Sequence, residues 1–171
     1  MTIAGTPRLQ LRYIEPEDVL PLSQILADPQ VMRFCVAGPK TAEQTQSLID
    51  SCRAEYETNG YALYAVVHKE DQHLIGYCGF MPQIVSEAPE TELGYRLNPA
   101  YWGRGLGTEA ARAAVKYAAD ALRLTRLVSV IEADNIGSVQ VALRAGFHKE
   151  TETQWRGLSV GVYAITLSYG C

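Results

Sequence analysis

Hydrophobic and polar positions along the chain predict a mixed succession of strands and helices. Alternation over residues 8–13 predicts a strand, and apolar stretches on both sides of the polar turn Lys69–Gln72 predict a hairpin. Apolar residues at helical spacing predict four helices, which begin near residues 15, 41, 107 and 135. The predicted strands are 8–13, 61–67, 74–80, 92–97 and 127–131, with two more between residues 147 and 169.

Local signals mark the ends of these helices. Pro16 suits a first helical turn, and Thr41 with Gln44 forms a capping box at the start of the second helix. Gly146 is placed to end the last helix in a left-handed conformation. The order β-α-α-β-β-β-α-β-α-β-β is typical of an α+β sheet and not of a regular doubly wound one. We expect a single domain over residues 1–171.

Composition and charge narrow the function classes. Hydrophobic residues make up 47% and charged residues 20%, which is typical of a globular chain. With 15 Lys and Arg against 19 Asp and Glu, the net charge of −4 argues against a nucleic-acid partner. The longest apolar run, Tyr61–Val67, is too short to cross a bilayer, and the N-terminus has no apolar signal core. We therefore expect a cytoplasmic protein with no membrane partner.

Cysteine and histidine positions predict no metal site. The four cysteines fit no zinc-binding spacing, and we expect free thiols, with Cys78 in the core. His68 and His73 flank a polar turn, so we expect both at the surface. The cysteines are Cys35, Cys52, Cys78 and Cys171.

Three glycines, Gly103, Gly105 and Gly107, lie between a predicted strand and a predicted helix. Glycine leaves neighbouring amides unshielded, and a helix start adds unpaired N–H groups with a partial positive charge. This combination predicts an anion site, most naturally for phosphate, to which Arg104 can donate a charge-assisted hydrogen bond. The alternative is a glycine-rich turn with Thr108 as the helix cap.

Two other motif matches are weak in their context. Gly105-x-Gly107-x-x-Ala110 matches a dinucleotide fingerprint, but residues 98–102 separate it from the strand that should precede it directly. A nicotinamide-dependent oxidoreductase stays an alternative on this match. Gly157–Gly161 matches a nucleophile elbow, but no acid or histidine follows it. We predict a turn there.

An ordered set of segments resembles one known family. The segments are 6–12, Glu17-Asp18, 28–33, 92–110, Asn135-x-x-Ser138 and Gly146-Phe147. Together they resemble the GNAT acetyltransferase superfamily, in particular its ribosomal-protein N-terminal (RimJ/RimL-like) branch, over most of the chain. The resemblance implies a largely antiparallel twisted sheet of about seven strands, flanked by about four helices and splayed at its central strands. It also implies acetyl-coenzyme A as co-substrate and a primary amine as acceptor.

The resemblance also implies which residues contact the coenzyme. Loop amides bind its pyrophosphate, a splayed strand pairs with its pantetheine arm, and the start of the last helix faces that arm. Trp102 stands where the family has Gln or Arg. For Asn135, a role as helix N-cap alone would also explain the residue. The implied contacts are Tyr95, Arg96, Leu97, Gly103, Arg104, Gly105, Leu106, Gly107, Thr108, Asn135 and Ser138.

Acetyl transfer to an amine requires proton transfers. At pH 7 a lysine-type amine is only about 0.04% neutral and an α-amine roughly 10–15%, so a base is needed most for lysine. We predict Glu92 as that base, acting through water, with Glu90 as a neighbouring alternative. By resemblance, Ala142 stands where many members have a proton-donating tyrosine, and Ser138 is the predicted substitute.

Several expectations concern the acceptor and the reaction type. We expect direct transfer without a covalent acyl-enzyme, and a non-catalytic acyl-coenzyme A-binding module is the main alternative. The acceptor is expected between the first two helices, loop 32–39 and the last hairpin, with Phe34, Tyr77 and Phe147 as lining or core residues. Its identity stays open between a protein N-terminus and a small-molecule amine. The protein is expected as a monomer or homodimer.

Overall fold

An open sheet of eight strands with helices on both faces forms the frame of the protein, in a computed structural model that describes residues 1–168. The strands are β1 (Thr2–Gly5), β2 (Leu9–Tyr13), β3 (Leu63–His68), β4 (Leu74–Val85), β5 (Ala88–Leu97), β6 (Arg126–Glu132), β7 (His148–Trp155) and β8 (Leu158–Thr166). The helices are α1 (Val19–Leu26), α2 (Ala42–Thr58), α3 (Leu106–Asp120) and α4 (Ile136–Arg144), with short 3-10 helices at Pro16–Asp18 and Pro99–Tyr101.

The sheet opens in its middle. Its strand order is β1-β2-β3-β4-β5-β6-β8-β7, and every neighbouring pair is antiparallel except β5 and β6. These two strands are parallel and share one paired position, Glu92 opposite Val128. The β4–β5 register, in contrast, continues from Gly76 opposite Leu97 to Val85 opposite Ala88. Beyond Glu92, β5 and β6 diverge.

The two larger hydrophobic cores lie on opposite faces of the sheet, and a third, small one surrounds Val128. Successive strand residues point to opposite faces, so neighbours in β4 enter different cores. Tyr77 packs with Leu22 of α1 and Ile49 of α2, while Cys78 packs with the alanine-rich face of α3. The small alanine side chains, such as Ala114, let α3 lie close to the sheet.

The predicted fold class is confirmed, including the four α-helices and the splay between central strands. The structure has eight strands where about seven were predicted, because β1 is only four residues long and forms by pairing with β2. The β4–β5 hairpin is longer than predicted, because β4 continues to Val85 and β5 begins at Ala88. Pro82 lies beyond Gly79, where β3 stops pairing with β4, and Pro89 lies before Glu92, the one position of β5 paired with β6, so no third strand requires their missing N–H groups.

The predicted surface position is confirmed for His73 and wrong for His68. His68 is 5% exposed because it is the last residue of β3, whose six residues are all buried in the middle of the sheet. Its ring centroid lies 5.3 Å from that of Tyr101.

Close backbone approach at Gly76 gives a stability prediction. A Cβ at Gly76 would lie 1.9 Å from the carbonyl oxygen of Arg96, and φ there is +150°. Because β5 would have to shift, Gly76→Ala should lower the free energy of unfolding by about 2–4 kcal/mol in urea denaturation. In the control Gly137→Ala, nothing lies within 4 Å of the added Cβ, and stability should stay equal or rise slightly. Equal stability of the two variants would contradict this packing.

Candidate active site

The glycine-rich segment presents the N-terminus of α3. Gly105, with φ +76°, is the N-cap, and Gly103 has φ +73°. The first i→i−4 hydrogen bond at this end is donated by the Glu109 amide to the Gly105 carbonyl, at 3.1 Å. Amides before Glu109 therefore have no partner within the helix and form a group of potential anion donors. The cap is Gly105 and not Thr108, which is buried in the first turn.

A side-chain network holds this segment to the β1–β2 turn. Arg8 Nε donates to Glu109 Oε2 at 2.7 Å, and Arg8 Nη1 donates to the Arg104 carbonyl at 2.8 Å. Thr6 Oγ1 donates to Glu109 Oε1 at 2.5 Å. Burial works to raise the pKa of Glu109, but hydrogen bonds from Thr6 and Arg8 outweigh it, and the pKa is lowered. The carboxylate is therefore kept charged, and the loop is fixed before any ligand arrives.

The other side of the loop is fixed to the sheet. The Tyr101 hydroxyl donates to Asp71 Oδ2 at 2.6 Å, and the Trp102 indole N–H donates to the Leu97 carbonyl at 2.8 Å. Trp102 therefore has a structural role at a position where the family has Gln or Arg. The side chains of Leu97 and Leu106 are buried, so these two residues can offer a ligand only their backbone.

A cavity of about 280 Å³ lies at the opening between β5 and β6. It is bounded by β5, β6, the start of α4, the loop between α1 and α2, and the β7–β8 turn. We call it the central cavity. It brings together five of the predicted site residues, Glu92, Tyr95, Arg96, Asn135 and Ser138. Residues 103–108 do not line it and lie at the N-terminus of α3.

Glu92 is a buried carboxyl at the position where β5 and β6 part. It is 9% exposed, and Oε1 accepts a hydrogen bond from the Val130 amide at 3.3 Å. Burial raises the pKa of Glu92, more than hydrogen bonds from Val130 and Gln83 lower it. A carboxyl with a raised pKa inside a cavity suits a general base.

Glu90 forms an ion pair with Arg126 outside the central cavity. Arg126 Nη2 lies 3.1 Å from Glu90 Oε1 and 2.7 Å from Glu150 Oε2, so Glu90 belongs to an ion-pair network. It does not line the central cavity. The structure therefore favours Glu92 over Glu90 as the candidate base.

The start of α4 faces β5 across the opening. Asn135 is its N-cap, with Oδ1 accepting from the Ser138 amide at 3.3 Å, which confirms the capping alternative. The Tyr95 hydroxyl donates to the Ser138 carbonyl at 2.8 Å and so links β5 to α4. Burial raises the pKa of Tyr95. Ala142 is 1% exposed in the core, so no proton donor comes from that position.

The predicted acceptor residues divide between the cavity and the core. Phe34 and Tyr77 line the central cavity. Phe147 does not: it is 3% exposed and packs in the core beside α3, because Gly146, with φ +102°, turns the chain back towards the sheet. Lys40 and Arg156 also line the cavity, and the sequence analysis missed both. They lie in a loop and a turn, where no periodic pattern shows the direction of a side chain.

The thiols are free at Cys35, Cys52 and Cys78, as predicted, while Cys171 lies outside the described residues. Burial raises the pKa of Cys52 to about 11 and that of Cys78 to about 12, so neither is a ready nucleophile. Cys35 lines the central cavity.

No cluster of three or more His, Cys, Asp and Glu side chains within residues 1–168 is arranged to hold a metal ion. None of the helices in this part of the chain combines the length and the apolar character needed to cross a membrane.

Comparisons with known proteins agree with this geometry. The family model described as "Acetyltransferase (GNAT) domain" matches residues 8–148. The chain is 32% identical over 149 residues to the uncharacterized N-acetyltransferase p20 of Bacillus licheniformis, covering 85% of this chain and 82% of p20. It is 29% identical over 150 residues to the ribosomal-protein-serine acetyltransferase of Escherichia coli (strain K12), covering 85% and 82%.

A solved structure shares the fold. RimL, a ribosomal L7/L12 alpha-N-protein acetyltransferase in complex with coenzyme A, matches with a TM-score of 0.79 and 20% identity, covering 98% of both chains. The chain belongs to the GNAT acetyltransferase family and is an acetyltransferase. The predicted relation to the RimJ/RimL-like branch is confirmed. The family assignment argues against the nicotinamide-dependent alternative.

Burial of Glu92 gives a pH-dependent stability prediction. The pKa of Glu92 is higher in the folded protein than in the unfolded chain, where it is about 4.3. The folded protein therefore loses stability as the pH rises from the pKa of the unfolded chain through the pKa of the folded protein. Glu92→Gln removes this loss, so its thermal midpoint at pH 7 should exceed that of the parent, and the gain should vanish below about pH 4. Glu90→Gln, which breaks a pair with Arg126, should give no such gain. Equal midpoints of Glu92→Gln and the parent at pH 7 would contradict the raised pKa.

Proposed function

We propose that residues 1–171 act as a single N-acetyltransferase domain that transfers an acetyl group directly from acetyl-coenzyme A to a primary amine. The observation that carries the proposal is the open edge of β5 beyond Glu92, together with the exposed amides before α3. A long ligand with an anionic middle and an amide-bearing arm fits this succession of donors. The similar protein RimL, crystallised with coenzyme A, supports the choice of ligand.

Each part of the coenzyme has a matching group. The amides of residues 103–108 donate to the pyrophosphate, and Arg104, which is exposed above the Tyr101 ring, adds a charged donor. The backbone of Tyr95, Arg96 and Leu97 pairs with the amides of the pantetheine arm, as an added strand pairs with a sheet edge. Asn135 and Ser138 border the arm from α4.

The reaction requires two proton transfers around one bond exchange. The neutral amine attacks the thioester carbon with its lone pair, and a water-linked Glu92 takes the proton that the nitrogen loses as the amide forms. The resulting oxyanion accepts a hydrogen bond from a β5 amide near Tyr95. As the C–N bond forms, the C–S bond breaks, and the thiolate gains a proton supplied through the Ser138 hydroxyl or a water bound to it. With a thiol pKa of about 8.5, this protonation is favourable near neutral pH.

Similarity to a ribosomal-protein-serine acetyltransferase supports a protein as acceptor. An α-amine also needs less help from a base than a lysine does, because a larger share of it is neutral at pH 7. Phe34, Tyr77 and Glu92 line the cavity that would receive this amine.

Direct transfer is tested at Cys35, the one cysteine among residues 1–168 that lines the central cavity. After incubation with acetyl-coenzyme A and no acceptor, mass spectrometry of the intact protein should show no added acetyl group. A stably acetylated Cys35 that passes its acetyl group to an added amine would replace direct transfer by a two-step route.

Coenzyme binding is tested at Arg104. Removing one charge-assisted hydrogen bond should weaken binding about tenfold, so the dissociation constant of Arg104→Gln for acetyl-coenzyme A in calorimetry should rise by that factor. Lys116→Gln removes an equal charge from the exposed face of α3, where Lys116 pairs with Asp120, and should bind as the parent does. Absence of heat from the parent at millimolar acetyl-coenzyme A would defeat the proposed function.

Catalysis is tested at Glu92. Glu92→Gln should lower kcat for an α-amine acceptor by about 10²-fold or more, with acetyl-coenzyme A affinity unchanged, in an assay of thiol release. Ser138→Ala should lower kcat less, about tenfold, because water can replace the hydroxyl. For the parent, kcat/KM should rise with pH through the raised pKa of Glu92. Binding without turnover on any amine would instead indicate the non-catalytic module.

A further inference from the structure

The central cavity is lined by cationic side chains from three separate elements. Lys40 comes from the loop between α1 and α2, Arg96 from β5, and Arg156 from the β7–β8 turn. Within residues 1–168, none of the three lies within 4 Å of a carboxylate oxygen. The cavity carboxyls are Glu92, whose pKa is raised, and Glu132. The local charge is therefore more positive than the net charge of −4 for the chain suggests.

Arg96 is the cation with the least satisfied side chain. It is half-buried, its Nε is fully buried with no hydrogen-bond partner among the described residues, and its Nη1 makes only a long contact of 3.4 Å with the Tyr95 carbonyl. A buried donor without a partner costs free energy, and the cost is larger for a charged group. An anion in the cavity would bind this guanidinium through its Nη groups.

Arg96 and Glu92 lie on the same face of one strand. They are four residues apart, so their side chains share a face while that of Tyr95 points to the other, and their Cα atoms are about 13 Å apart. Tyr77 of β4 is the cross-strand partner of Arg96 and also lines the cavity. Since both long side chains extend into one cavity, a molecule with an amine at Glu92 reaches Arg96 within several bonds.

We propose that the acceptor is a primary amine with a carboxylate a few bonds from the reacting nitrogen, and that Arg96 binds this carboxylate. Peptides with an acidic residue close to the N-terminus, and free amino acids, share this chemistry. Lys40 and Arg156 add positive potential that favours entry of the anionic group. The inference rests on the proposed acetyl transfer, to which it adds the class of acceptor. The pantetheine arm pairs with the gap-facing backbone of β5 and not with the Arg96 side chain, so the two roles are compatible.

The test uses acceptors that differ in one group. Short C-terminally amidated peptides with Asp or Asn at position 1, 2 or 3 form matched pairs, and thiol release gives kcat/KM for each. The parent enzyme should prefer the Asp member of at least one pair by about tenfold or more, as expected for a hydrogen bond to a charged group. The preferred position measures the distance between the amine and Arg96.

Variants assign the preference to Arg96. Arg96→Gln should lower kcat/KM for the preferred Asp peptide about tenfold or more and leave its Asn partner within about twofold. Arg96→Lys should retain part of the preference because the positive charge stays. Arg53→Gln, on the exposed side of α2 and away from the cavity, should change neither member.

The outcomes separate this inference from the proposed function. Equal kcat/KM for Asp and Asn members in every pair, or an equal loss for both members in Arg96→Gln, overturns the inference while acetyl transfer stands. If the coenzyme binds but none of the acceptors tested causes thiol release, the proposed function is overturned and the inference with it. The selectivity is measured with the parent enzyme, as the ratio of kcat/KM for the Asp peptide to kcat/KM for its Asn partner. The test therefore does not depend on whether a variant folds.

Discussion

The divergence of β5 from β6 is the constraint on which the rest of the site depends. Each strand is held on its other side by a full antiparallel ladder, β5 by β4 and β6 by β8. Beyond Glu92, β5 has no strand to pair with on its β6 side. There the Leu93 carbonyl accepts from the Ser129 hydroxyl and the Leu97 carbonyl from the Trp102 indole, and the remaining backbone groups that face the gap need a partner from water or a ligand. The pantetheine arm of coenzyme A, which carries amide groups of its own, is such a partner.

The other site elements take their positions from this opening. The glycine-rich segment follows β5 after the 3-10 helix Pro99–Tyr101, and α4 follows β6, so both lie at the end where the strands separate. The Tyr95–Ser138 hydrogen bond spans the gap, and Arg8 holds the loop to the sheet edge. Glu92 lies at the point of divergence, where burial costs stability and gives the carboxyl its raised pKa. That is the usual conflict between stability and function in an active site.

Periodicity and local signals were enough to predict the fold class, the four helices and the capping role of Asn135. They failed where tertiary pairing decides: β1 has no pattern of its own, and the β4–β5 hairpin extends beyond the predicted strands towards its turn. The motif with Gly105 led to the proposed anion site because its chemistry is local. Lys40 and Arg156 were missed, since only the folded chain brings a loop and a distant turn to one cavity.

The central claim is that the open edge of β5 and the amides before α3 receive one ligand together. Hydrogen–deuterium exchange with and without coenzyme A tests both at once. The account predicts slower amide exchange at residues 95–97 and 103–108 when the coenzyme is bound, with little change in β1 or β7. Coenzyme binding that leaves both segments exchanging as before, or that protects a different surface, would contradict it.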